Sequence, residues 1–128
     1  MQYYFSKNVK GDFFAIREKT IALLREEGFA IKTEMDVSAT LKEKLGIDFK
    51  TYHILGACNP VYAHRALQAE DKLGVLLPCN VILIEQGEGN IEVAAMDVEQ
   101  MMAGMDNAEL KGVAAEVGNI MKGVLARL

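Results

Sequence analysis

The chain has 128 residues, 51% of them hydrophobic, with a formal net charge of −4 and two cysteines. That length suits one compact domain able to hide roughly two thirds of the surface its unfolded form exposes, so a core forms without disulfide or metal staples. The 14 lysines and arginines are scattered without a basic run, which argues against a nucleic-acid partner, and no stretch reaches the ~18 apolar residues of a membrane span.

Segment 1–7 lacks the basic start and long apolar centre of a secretory leader, so the expectation is a cytoplasmic protein with free thiols. Tyr3 and Phe5 alternate with polar neighbours as a first strand, after which Gly11-Asp12 turns the chain and Asp12 caps a helix. Phe13, Ile16, Thr20, Leu23 and Leu24 share one face of that helix, which runs to Glu27 and stops at Gly28. Residues 29–35 read as a second strand. A short helix from Asp36 or Ser38 carries Leu41 and Leu45 and closes at Gly46.

Residues 51–58 read as a third strand feeding directly into a helix, with Asn59 as its cap and Pro60 at the first helical position. The apolar stripe Tyr62, Ala66, Ala69, Leu73 carries this helix to about Lys72, and Gly74 ends it. Residues 75–85 are apolar at nearly every position, which predicts a central strand covered on both faces. Pro78 removes a ladder donor, so a bulge, an edge or a strand start is expected near it. A glycine-rich hairpin loop over 86–90 leads into a strand over 91–96. The last helix is the clearest element, with Leu110, Val113, Ala114, Val117, Met121, Val124, Leu125 and Leu128 on one face, and Asp106 with Glu109 predicts a capping-box variant at its start. Gly112 and Gly123 lie on one flank, where another backbone, such as a second subunit, has room to approach.

Both cysteines sit in apolar runs and each precedes an asparagine: Cys58-Asn59 and Cys79-Asn80. Cys58 ends a strand beside a helix N-terminus, where unpaired N–H groups and the helix dipole favour a thiolate. Three roles follow for it: a buried structural thiol, an anion- or substrate-binding turn, or a redox centre. Cys79 meets Cys58 if their strands are neighbours. A structural zinc wants four ligands, whereas the chain has two cysteines and two histidines, and alternation turns His53 to the strand face opposite Cys58; no Cys/His zinc site is expected and no residue is assigned to a metal. His64 falls with Gln68 and Asp71 on the solvated side of its helix. Asn59 and Asn80 offer amides to a ligand, beside more ordinary duties in capping a helix and satisfying a bulge. Glu34, Asp36, Glu85 and Asp97 fall at strand ends, where two of them can form an acid-base pair. Met96, Met101, Met102 and Met105 line either a groove or a core gap.

Glu34-Met35-Asp36-Val37, Thr40 to Gly46, Tyr52, Ile54 to Pro60, His64 to Leu67, and Gly74 with Leu76 to Val81 together resemble the domain of unknown function 302 family, over nearly the whole chain. The resemblance implies an α+β fold with a curved, mainly antiparallel sheet and helices packed on it, similar to the TATA-binding-protein arrangement, and a homodimer. It implies no activity, cofactor or catalytic residue. The leading expectation is a homodimeric binding module with a pocket for a small molecule, an anion or a soft metal formed by Cys58, Asn59, Cys79 and Asn80. The rivals are a thiol-dependent redox or sulfur-handling enzyme and a structural or partner-binding module acting through the glycine flank of the last helix.

Overall fold

The structure is a computed structural model describing residues 2–128; Met1, the first residue of the segment tested for a leader, lies outside the described residues. The chain builds five strands, β1 (Tyr4–Lys10), β2 (Ala30–Asp36), β3 (Tyr52–Cys58), β4 (Cys79–Gly87) and β5 (Asn90–Met96). Five helices accompany them: α1 (Phe13–Glu26), α2 (Val37–Leu45), α3 (Pro60–Ala69), α4 (Val98–Met102) and α5 (Ala108–Ala126). The strands form one sheet in the order β1-β5-β4-β3-β2, and every neighbouring pair is antiparallel. This is the α+β architecture that the resemblance implies.

Alternation divides the sheet into two unlike faces. Leu55, Ala57, Cys79, Val81, Leu83, Ile91, Val93 and Ala95 point to one side and are buried beneath α1, α3 and α5. Phe13, Ile16 and Leu24 of α1 join Leu110, Val113, Val117 and Met121 of α5 in that core. The opposite face leaves Tyr4, Asn80 and Met35 exposed and Ile54, Ile82 and Met96 only partly buried.

Five side chains cap the five helices, and the residue type at each cap follows from what it must bond. Asp12, Asp36 and Asp97 accept from the N–H groups of Ala15, Ala39 and Gln100. At α3 and α5 the cap is asparagine, whose amide can also donate. Asn59 Oδ1 accepts from Val61 N–H at 3.1 Å while its Nδ2 donates to the Glu27 carbonyl at 3.1 Å, just past the end of α1. Asn107 Oδ1 accepts from Leu110 N–H at 3.0 Å while its Nδ2 donates to the Ala69 carbonyl at 2.8 Å, the end of α3. The three core helices are thereby fastened end to start. Gly28 makes the first junction possible: its φ of 85° suits glycine, and a Cβ there would stand 3.1 Å from Asn59 Nδ2.

Three expectations need correcting. Residues 75–77 are not strand: a 3₁₀ turn covers Asp71–Leu76, Val75 is 85% exposed, and β4 begins only after Pro78, which has no N–H for the ladder and follows a cis peptide bond. The strand is central as expected, but its outer face is not covered. The cap of α5 is Asn107 rather than Asp106. Helix α3 ends at Ala69, three residues early, because Glu70 is extended and caps the 3₁₀ turn through its side chain to Lys72 N–H. The short helix α4, absent from the sequence reading, holds Met101 and Met102.

A test of the double role of the asparagine caps is to replace each by aspartate, which caps equally well but cannot donate. Asn59→Asp and Asn107→Asp should each lower urea-denaturation stability by about 1–2 kcal/mol, whereas Asp12→Asn should change it by less than about 0.5 kcal/mol.

Candidate functional site

Strands β3 and β4 are neighbours, with Ala57 opposite Cys79 and Gly56 opposite Asn80. Cys79 therefore shares the helix face with Ala57, and Cys58 follows one residue on as the last residue of β3. Both thiols are free, and both residues border one cavity. The surroundings of Cys79 are apolar: it is 8% exposed and borders a cavity of about 30 Å³, scarcely more than one water, walled also by Phe29, Ala66, Leu73 and Met102. Burial pushes the Cys79 thiol up to about 11, with a smaller push from the charge of Cys58. Cys58 is half-buried at the rim of this cavity, paired with Ala30 of β2.

Asn59 is 9% exposed and both ends of its amide are engaged by Val61 N–H and the Glu27 carbonyl. Its work here is structural. Asn80, by contrast, is exposed on the outer face, and among the described residues its side chain has no hydrogen-bond partner. Of the four singled-out residues, Cys79 is buried, Cys58 stands half-buried at the rim of the same cavity, Asn59 joins two helices and Asn80 is exposed on the outer face. Among the described residues, no cluster of three His, Cys, Asp or Glu side chains could hold a metal ion.

The acidic residues at strand ends also disperse. Glu34 pairs with Arg17 of α1, Asp97 caps α4, and Asp36 caps α2 with its other oxygen 3.4 Å from His53 Nε2. His53 stands on the helix face, as parity requires, with the Phe13 and Phe14 rings edge-on at 4.9 and 5.9 Å. The Asp36 carboxyl is held below its ordinary 3.8, first by the Ala39 N–H, then by the Ser38 hydroxyl; partial burial opposes this and His53 adds a further pull.

The outward face carries what the sequence reading missed. Rows across the sheet run Met35, Ile54, Ile82, Ala94, Ser6 and, beside it, Tyr52, Ile84, Glu92, Asn8. The one acid in these rows is tied down: Ser6 Oγ donates to Glu92 at 2.5 Å, Gln86 Nε2 donates to it at 2.8 Å, and Lys50 Nζ donates to Gln86 at 2.9 Å. Those bonds, with Lys50 nearby, hold the Glu92 carboxyl below its ordinary 4.5. A groove of about 210 Å³ opens beside Ala94, between Tyr4, Met96 and Met101 on one side and Asn80 and Ile82 on the other. The signal was present in the sequence: Ile82, Ile84 and Ala94 are apolar at positions that alternation assigns to the outside.

Two outcomes are expected. In the native protein one thiol, Cys58, reacts with iodoacetamide near neutral pH and Cys79 reacts only after denaturation, as read by mass spectrometry of the alkylated peptides. A depressed carboxyl stabilises the fold above its unfolded pKa and loses that effect as pH falls through its folded value. Asp36→Asn should thus be less stable than the native chain at pH 7, with the gap closing below about pH 4 in denaturation measured across pH.

Comparison with curated proteins finds no match. Among solved structures, the crystal structure of an uncharacterized conserved DUF302 protein from Bacillus stearothermophilus superposes with a TM-score of 0.90 at 26% sequence identity, covering 99% of this chain and 98% of that one. The family model for DUF302, a domain of unknown function, matches residues 5–128. With a match over that length and a neighbour so close in fold, the chain belongs to the DUF302 family.

Proposed function

We propose that this protein is a homodimeric binding module in which a second copy covers the outer face of the sheet. The observation that carries the reading is the apolar strip Met35, Ile54, Ile82, Ala94 on strands whose other side already fills the core. A strand that is apolar on both sides needs cover on both sides, and one copy of the chain supplies it on one. Five strands about 4.8 Å apart and about seven residues long give a face of roughly 550 Å², some two thirds of the about 800 Å² that each partner contributes to a standard interface.

A second copy suits this face better than a charged partner. Glu92, the one acid in the central rows, accepts hydrogen bonds from Ser6 and Gln86 within its own chain, with Lys50 nearby, so its carboxylate meets a second face already solvated by its own side chains. Binding is favoured over chemistry that needs both thiols because Cys79 is sealed with its thiol raised to about 11, while both ends of the Asn59 amide are engaged in the helix junction. The glycine flank of α5 gives no comparable support: Gly112 and Gly123 face open space on a side bearing Lys111, Asn119 and Lys122.

The reading is tested by light scattering coupled to size-exclusion chromatography. The native chain should elute as a dimer, and Met35→Lys, at a position 46% exposed in the single chain, should shift it to monomer while leaving the circular dichroism spectrum unchanged. A native chain that remains monomeric at high micromolar concentration overturns the reading.

A further inference from the structure

Resting on that reading, we infer that the groove beside Ala94 is a binding site for a small, neutral, planar aromatic molecule with an amide-like hydrogen-bonding edge, and that the second copy forms its lid. The floor follows from residue size. Ala94 lies between Ile82 and Ser6 in the sheet and is 3% exposed, so its single methyl group forms the bottom of a depression around which Tyr4, Ile82 and Met96 stand up. Its volume of about 210 Å³ falls below the roughly 300–1,000 Å³ of sites for drug-sized ligands, which limits the guest to about one ring system.

The walls define the chemistry. Tyr3 and Tyr4 meet edge to face with centroids 5.1 Å apart, presenting aromatic surface to a flat guest. Met96 and Met101 add thioethers, which pack well against ring edges. Asn80 brings both a donor and an acceptor at the margin of an otherwise apolar lining, the arrangement that reads a carboxamide edge. None of the residues lining the groove is charged, which disfavours the anion considered from the sequence. A groove on one sheet face is open above; stacking a second face on it encloses the guest and removes it from water, while the guest satisfies polar groups that the contact would otherwise strand.

Benzamide is the probe, with toluene as the ring lacking a hydrogen-bonding edge, each titrated into the full native chain and followed by amide NMR shifts. Benzamide should give saturable shifts confined to Asn80, Ala94, Met96 and Met101. Asn80→Leu should weaken benzamide by roughly three- to tenfold while leaving toluene unchanged, and Tyr4→Ala should weaken both. Met35→Lys, outside the groove, should weaken benzamide as it removes the lid. A native dimer that gives no saturable shifts in the groove overturns the inference and leaves the dimer reading standing. Equal binding by native dimer and Met35→Lys monomer overturns the shared lid, and a monomeric native chain overturns the dimer reading itself.

Discussion

The asparagine at each of two helix starts is the constraint on which the rest of the molecule depends. An amide at a cap can accept from its own helix and donate to the last carbonyl of another, so Asn59 and Asn107 join α1 to α3 and α3 to α5 without any side chain crossing the core. The start of α3 is fixed at the end of β3, and the end of α3 fixes the start of α5. Orientation of the helical layer over the sheet then follows from two hydrogen-bonded corners together with apolar packing between them. Aspartate serves where nothing has to be donated, at α1, α2 and α4.

The same corner occupies the segment that the sequence singles out for thiol chemistry. Cys58-Asn59-Pro60 has the local geometry of a strand running into a helix, but the asparagine amide is consumed by the junction and Cys79 is in the packed layer beneath α3. Two strands side by side bring the two cysteines to one cavity, Cys79 sealed within it and Cys58 half-buried at its rim. The other side of the sheet is the more open of the two.

Much of the fold was legible in the sequence because its signals are local. Asp12 and Gly28 bracket α1, Asn59-Pro60 starts α3, and the spacing of Leu110 to Leu125 defines α5. The misreadings arose where a nonlocal choice decided the outcome. Residues 75–77 have strand-like composition, but Pro78 lacks a ladder donor and the pairing with β3 starts at Cys79. Asp106 and Asn107 are both good caps, and the choice went to the one whose amide reaches Ala69. For the site, residue types are legible but faces are not: parity along one strand is readable, whereas the register between strands that sets Cys79 against Ala57 is not. The outer strip was written in Ile82, Ile84 and Ala94, and it became recognisable only once the helices were seen to lie all on the other side.

The two borders of the sheet carry a consequence of their own. β2 bears Lys32, Glu34 and Asp36 and is interrupted by a register shift between Ile31 and Thr33, and β1 carries Lys7 at its middle and Lys10 at its end. Charges and an irregular ladder make both borders poor templates for adding a further strand. Sideways growth of the sheet into fibrils is disfavoured accordingly, because neither border offers an even, uncharged ladder to a neighbour.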